Sequence, residues 1–222
     1  EGKRLGIKIN YAIQEKPEGL AQSFLIGEDF IKKDNVCLIL GDNIFFGHNL
    51  VSKLNYGIRN LRKNYATIYG YRVSNPSDYG VVQFDKKLEI KKIQEKPKRL
   101  ISNYAITGLY FYPNSVISIA KRIKKSSRGE YEITDVNKHF LNKRKLKLQI
   151  FERGFAWLDA GKHDSLNQAS SFIETVEKRQ GFKIACLEEI AYRSGFINRN
   201  NFLRLIKKVP NNQYKKYLTQ LI

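Results

Sequence analysis

The run Val36-Cys37-Leu38-Ile39-Leu40 stops abruptly on Gly41-Asp42-Asn43, and no other stretch constrains the fold as much. Consecutive apolar residues rich in branched side chains predict a short strand buried on both faces, as in the interior of a parallel sheet. In such sheets ligands bind just beyond the carboxyl ends of the strands. Asp42 therefore stands where a carboxylate can hold a metal ion over a substrate, and Gly41 admits a ligand close to the backbone. An Asx turn after a core strand is the plainer alternative for the same residues.

The neighbouring segments set the class. Lys8–Gln14 alternates polar and apolar residues and predicts a strand. Pro17 and Gly19 mark a turn, and helical spacing follows from Leu20 to about Ile31. Asn49–Lys63 is a basic amphipathic helix with Leu50, Leu54, Ile58 and Leu61 on one face, and Ala66–Tyr71 is a second buried strand. This strand–helix alternation predicts an α/β fold with a mostly parallel, Rossmann-like sheet. Val81–Asp85 and Glu89–Ile93 flank Lys86-Lys87 as an antiparallel hairpin added to it. Ala105–Tyr112 is a long strand closed by Pro113, and a helix follows over Ser115–Lys125. Ser127-Arg128-Gly129-Glu130 matches a capping box opening a helix to about Leu141. Leu146–Phe151 and Phe155–Leu158 are strands; Asp164–Gly181 is a helix with Gly181 as its C-terminal cap. Leu187–Ile222 reads as three short helices. The organisation expected is one domain over 1–222, with a helical region at 182–222 packed on it.

Charge and composition exclude more than they identify. The formal net charge is +19, but the basic residues are spread along the chain rather than gathered in one stripe, so nucleic acid is not the expected partner. No apolar run is long enough to cross a membrane, and no leader-like segment is visible, so a cytoplasmic location is expected. Cys37 and Cys186 fit no metal spacing, and Cys37, inside the apolar strand, is expected to be a small buried thiol. The chain holds no methionine, so Glu1 is expected to lie inside a longer natural sequence.

Two strand ends deliver an aspartate: Asp42, and Asp159 in Trp157-Leu158-Asp159-Ala160-Gly161. Mg²⁺ takes oxygen ligands and commonly accepts one or two protein carboxylates, with phosphate and water completing its shell. His48, His139 and His163 are scattered, and no His/Cys cluster suits zinc. Lys96, in Glu95-Lys96-Pro97, is placed to meet a phosphate as a point charge. Arg128, before the first turn of a helix, can grip a phosphate together with that helix's N–H groups, or can be an exposed turn residue. Glu95 can accept from a sugar hydroxyl, and Gly80 lets a sugar ring lie against bare backbone. Such parts suit phosphoryl or nucleotidyl transfer, which needs positioning and charge neutralisation more than a protein nucleophile.

Read together, Gly19–Gln22, Leu38–Phe45, Tyr79–Val82, Glu95–Pro97, Ser102–Tyr112, Arg128–Asn137, Arg153–Asp159 and Cys186–Arg193 closely resemble the bacterial glucose-1-phosphate thymidylyltransferases, which are sugar nucleotidyltransferases. The likeness runs in order over essentially the whole chain; Ala160 stands where that family usually has threonine. The resemblance implies that dTTP and glucose 1-phosphate give dTDP-glucose and pyrophosphate with Mg²⁺. It implies metal ligation by Asp42 and Asp159, and catalytic roles for Asp42, Lys96 and Arg128. Gln14, Gly19, Leu20 and Asp42 are then nucleotide-binding, and Asn43, Gly80, Glu95, Lys96 and Ile106 sugar-binding. It also implies a homotetramer serving dTDP-sugar synthesis, the dTDP-rhamnose and lipopolysaccharide route included. The family's Gly-rich triphosphate loop precedes the point that Glu1 matches. Residues 1–222 by themselves are therefore expected to have little or no transferase activity, and a non-catalytic truncated remnant is the alternative.

Overall fold

Two short helices, α1 (Ser23–Ile26) and α2 (Glu28–Ile31), lead into strand β1 (Val36–Ile39) in the computed structural model, which describes residues 2–222. A 3₁₀ turn at Leu20–Gln22 precedes them, so the predicted helix from Leu20 to Ile31 exists in three pieces. Gly27, a poor helix former, marks the break between α1 and α2. Then come β2 (Asn43–Phe46), α3 (Leu50–Arg62), β3 (Ala66–Arg72), and the hairpin β4 (Gly80–Phe84) and β5 (Ile90–Glu95). β6 (Tyr104–Tyr112), α4 (Val116–Ala120), α5 (Ile133–Asn142), β7 (Leu146–Phe151) and β8 (Ala156–Asp159) complete the larger compact unit, Ala12–Ser165. After α6 (His163–Gln180) come α7 (Leu187–Arg193), α8 (Arg199–Lys208) and α9 (Gln213–Thr219). Leu166–Ile222, with the N-terminal stretch to Tyr11, is a second compact unit.

β6 organises the main sheet, whose order is β5-β4-β6-β3-β7 with β1 also joined to β6. β3 runs along one edge of β6, while β1 and β4 share the other, β1 against Leu109–Tyr112 and β4 against Ala105. β1, β3, β4 and β7 point one way and β5 and β6 the other. The expected common direction therefore holds for most strands, yet only β3 and β7 pair in parallel, because β6 runs backwards between its neighbours. The sheet is mixed.

Alternation along β3 and β6 feeds two cores. Ile68, Tyr110 and Tyr112 point to one face, where they pack with Phe24, Val116, Ile119, Val136 and Phe140 of the helices. Tyr69, Leu109 and Phe111 point to the other, with Phe151, Phe155 and the apolar stripe of α3. α3 lies so close that a Cβ on Gly57 would stand 2.7 Å from the Phe111 ring and the Tyr69 hydroxyl. The smaller unit has its own core of Leu5, Ala191, Ile197, Phe202, Leu205, Ile206 and Leu218. Its helices α8 and α9 start on Asn198 and Asn212, whose side chains accept from the N–H of Asn201 and Lys215.

Five expectations fail. Lys8–Gln14 pairs with no strand among the described residues; alternation makes a strand only where an edge receives it, and Tyr11 and Ile13 stand exposed. β1 is buried on one face only: Val36 and Leu38 pack on the helix-side core, whereas Ile39 is 57% exposed. Cys37, on the same outward face, is exposed rather than a buried thiol. The capping box is absent: α5 starts at Ile133, after Glu132, and the predicted Ser115–Lys125 helix is only the five residues of α4.

Candidate active site

The two strand-end aspartates meet, and a ladder that sequence patterning missed brings them together. β2 pairs antiparallel with β8, setting Asn43 opposite Asp159, and Ala160 N–H donates to Asp42 O at 2.8 Å. A Cβ placed on Gly161 would stand 3.0 Å from Asp159 Oδ1 and 3.2 Å from Asp42 Oδ2. One oxygen of each carboxylate is already held: Asp42 Oδ1 accepts from Asn43 Nδ2 at 2.8 Å, and Asp159 Oδ1 from Gly161 N–H at 3.0 Å. The second oxygen of each remains for a ligand. Among the described residues no group of three or more His, Cys, Asp or Glu side chains gathers into a metal site. Two carboxylates with open oxygens fit a hard cation that keeps water and phosphate ligands, and fit zinc poorly.

Asn43 is the joint of this site. Its Oδ1 accepts from Gly108 N–H of β6 at 2.9 Å and from Trp157 Nε1–H of β8 at 2.7 Å, while its amide nitrogen steadies Asp42. Gly108 has to be glycine here, because a Cβ would stand 2.5 Å from Asn43 Oδ1. Asn43, expected from sequence to touch the sugar, lines the cavity described next and has both ends of its amide engaged within the protein.

A cavity of about 240 Å³ opens beside the carboxylates. Leu20, Asn43, Gly80, Glu95, Lys96, Ile106, Arg128 and Asp159 line it, so eight residues selected from sequence converge. Two other clefts of the larger unit are wider, about 390 Å³ beside His48 and about 450 Å³ beside His139. Neither holds a strand-end aspartate, and volume alone does not place chemistry. Gln14 and Gly19 are not in the cavity lining: Gln14 Nε2 donates to Gly19 O at 3.2 Å and to Gln22 Oε1 at 2.6 Å. Gly19, at φ 105°, presses on Tyr131, whose carbonyl oxygen would stand 2.5 Å from a Cβ there.

Glu95 faces Gly80 across the β4–β5 ladder and takes a 2.5 Å hydrogen bond from Thr134 Oγ1, at the start of α5. Asn137, fully buried one turn further along α5, accepts from the Tyr112 hydroxyl at 2.6 Å through Oδ1. Asn137 is one of the residues lining the cavity, and its buried Nδ2 has no hydrogen-bond partner among the described residues. Thr134 and Asn137 were not singled out from sequence; the i, i+3 spacing after Glu132 was the available signal.

The two cations differ. Arg128 sits in a turn ahead of α5, five residues before its first residue Ile133, among three carboxylates. They are Glu130 at 2.7 Å, Glu132 at 3.3 Å and Glu95 at 3.8 Å. Burial works against its charge, and the Glu130, Glu132 and Glu95 carboxylates outweigh burial and hold the guanidinium charged. Lys96 has no carboxylate partner among the described residues, and its backbone is held at φ 35°, a strained value for lysine. Tyr79, edge-on to Trp157 at 5.2 Å, has its phenol pushed up by burial and then by Asp159 and Asp78.

Comparison with known proteins places the chain in a family. Residues 1–176 match the family model for nucleotidyl transferases. The chain is 47% identical over 222 residues to the glucose-1-phosphate thymidylyltransferase of Neisseria meningitidis serogroup A, covering all of this chain and 76% of that protein. It is 48% identical to the Mycolicibacterium smegmatis enzyme of the same name, with the same coverage. Among solved structures, a Bacillus anthracis protein described as a glucose-1-phosphate thymidylyltransferase, in complex with sucrose, superposes with a TM-score of 0.66 at 36% identity, over 77% of this chain and 67% of that one. A UDP-glucose pyrophosphorylase complexed with UDP-glucose has the same TM-score at 24% identity, over 75% of this chain and 66% of that one, and shares the fold.

Proposed function

The chain belongs to the nucleotidyl transferase family, and from that membership we propose that it serves the reaction of its thymidylyltransferase relatives, dTTP plus glucose 1-phosphate giving dTDP-glucose and pyrophosphate. The observation that carries the proposal is the convergence of Asp42 and Asp159 at Gly161, beside a cavity lined by a free lysine and by sugar-sized polar groups. Asp42 and Asp159 would hold Mg²⁺, which supplies charge neutralisation for the phosphates. Lys96 meets the sugar phosphate as the cavity's unpaired cation. Glu95, oriented by Thr134, accepts from glucose hydroxyls. Gly80 and Ile106 form the ring's bed, and Asn137 Nδ2 donates to a hydroxyl. Arg128 reaches a phosphate by leaving one of its carboxylates. Leu20 packs against the nucleotide, and Gln14 and Gly19, held together by their hydrogen bond, face the base.

Family resemblance supports the wider reading: a cytoplasmic homo-oligomer, tetrameric, whose product enters dTDP-sugar synthesis such as the dTDP-rhamnose route of lipopolysaccharide. No helix among the described residues is long and apolar enough to cross a membrane. The test is calorimetric titration of dTDP-glucose with and without Mg²⁺, on the wild type and on Asp159→Asn. Removing a metal ligand should weaken Mg²⁺-dependent binding about tenfold or more. Binding indifferent both to Mg²⁺ and to Asp159→Asn would refute the assignment. Pyrophosphate release from dTTP and glucose 1-phosphate is the second readout, and it separates a chain that binds and turns over from one that only binds.

A further inference from the structure

The cleft of about 450 Å³ beside His139 has an unusual lining. It is formed by Ser115 and Ser118 of the α4 region, Arg122 just beyond it, His139 and Lys143 at the end of α5, Lys145, and Asn64 after α3. Among the described residues no carboxylate lines it. Arg122, Lys143 and Lys145 form no ion pair among the described residues, whereas nearby Lys121 and Lys138 do, with Glu28 and Asp135. Two basic runs that are separate in sequence, Lys121–Lys125 and Lys143–Lys147, are thus brought to one place by the packing of α4 on α5.

We propose that this cleft is a binding site for a phosphorylated small molecule, separate from the strand-end carboxylates. Cations beside a helix C-terminus commonly answer the helix dipole, and Lys143 follows α5. That dipole amounts to only about half an elementary charge, against three full positive charges here. The surplus calls for an anion. His139 adds an independent sign: its Nε2 is buried and has no hydrogen-bond partner among the described residues. A phosphoryl oxygen would supply one, in a site where Arg122 offers a planar fork and the lysines point charges. Burial, then Lys143 and Arg122, push the His139 imidazole below its ordinary value, as expected of a ring surrounded by uncompensated positive charge. Lys145 is steadied over the Tyr65 ring at 4.3 Å. The volume takes more than a bare phosphate and suits a phosphate ester with an organic part.

The three histidines make the test direct: His48 and His139 line different clefts, and His163, the first residue of α6, follows the Asp159 turn. Imidazole proton NMR at constant ionic strength is followed while inorganic phosphate replaces chloride, with His139→Gln assigning the signal. The site predicts a saturable shift of His139 while His48 stays still, and His163 marks any phosphate taken by the carboxylate site. Arg122→Ser and Lys143→Ser, both on exposed side chains, should each weaken the His139 response about tenfold. A His139 signal that phosphate leaves unmoved, or moves linearly without saturation, overturns the proposal. So does a response unchanged in the Arg122→Ser/Lys143→Ser protein. Movement by a single-stranded oligonucleotide but not by phosphate would make the cleft a nucleic-acid surface and also overturn it.

Discussion

Replacing Asn43 by alanine tests whether one amide joins the sheet to the carboxylate pair. The side chain makes three hydrogen bonds: from Gly108 N–H at 2.9 Å, from Trp157 Nε1–H at 2.7 Å, and to Asp42 Oδ1 at 2.8 Å. Asn43→Ala leaves two donors without their acceptor. An unmet buried donor costs about 1–3 kcal/mol, so the pair amounts to roughly 2–6 kcal/mol. Asn43 is only half-buried and water can reach part of the gap, so the expected loss is about 2–4 kcal/mol. A domain has only about 5–15 kcal/mol in hand, so the variant should fold but melt well below the wild type. Urea unfolding followed by Trp157 fluorescence reads both the loss and the packing of the single tryptophan. Asn43→Asp is the companion. It keeps both accepted bonds but sets a carboxylate against Asp42, which raises the pKa of one member of the pair. A carboxyl raised in the folded state destabilises at pH values above that pKa, and the penalty lifts as pH falls through it. Asn43→Asp should therefore gain stability relative to wild type on acidification or on adding Mg²⁺, and Asn43→Ala should do neither. A loss under about 0.5 kcal/mol for Asn43→Ala, the range of ordinary surface changes, would refute the joint.

Two further outcomes follow from single contacts. Thr134→Val keeps shape but removes the 2.5 Å hydrogen bond to Glu95, so glucose 1-phosphate affinity should fall about tenfold by calorimetry; an unchanged affinity would remove Glu95 from the sugar site. In the smaller unit, burial pushes the Glu177 carboxyl up, but Lys183 at 2.5 Å and the Ile184 N–H at 3.0 Å outweigh it and hold the carboxyl below 4.5. A depressed carboxyl stabilises above its unfolded pKa and loses that contribution as pH falls through the folded one. The wild type should thus melt above Glu177→Gln at neutral pH, and the gap should close on acidification as pH falls through the folded pKa of Glu177; a gap that acidification leaves unchanged contradicts the pairing.

Much of this architecture is local, and local features were legible. β7 has the predicted limits Leu146–Phe151, β6 and the hairpin lie within a residue or two of expectation, and α6 ends at Gly181 as read. Apolar period and turn residues carry that information along a few consecutive positions. The two aspartates were legible as strand ends because Gly41 and Gly161 flank them. Their meeting was not, since it depends on β2, four residues that follow Gly41-Asp42 and look like the continuation of a loop until β8 supplies an edge. Lys8–Gln14 fails for the converse reason: the pattern is present but the edge is not, among the described residues.

Charge is the least legible property, because a side chain's partner is set by the fold. In sequence Lys96 and Arg128 were both candidate phosphate contacts, the first as a point charge and the second as a fork beside a helix start or an exposed turn residue. In the structure Glu95, Glu130 and Glu132 surround Arg128, while Lys96 has no carboxylate partner among the described residues and sits at a strained backbone position. Glu95 reaches Arg128 from a distant strand, and Glu132 is drawn inward because Ser126 Oγ donates to it at 2.7 Å. An arginine facing several carboxylates gains little more from a phosphate than it loses by leaving one of them, whereas an unpaired lysine gives up nothing but water. Under the proposed function, Lys96 rather than Arg128 is therefore the cation that would set the cavity's first attraction for a phosphate. Arg128 contributes once a ligand's charge competes with Glu130, the most exposed of its three partners.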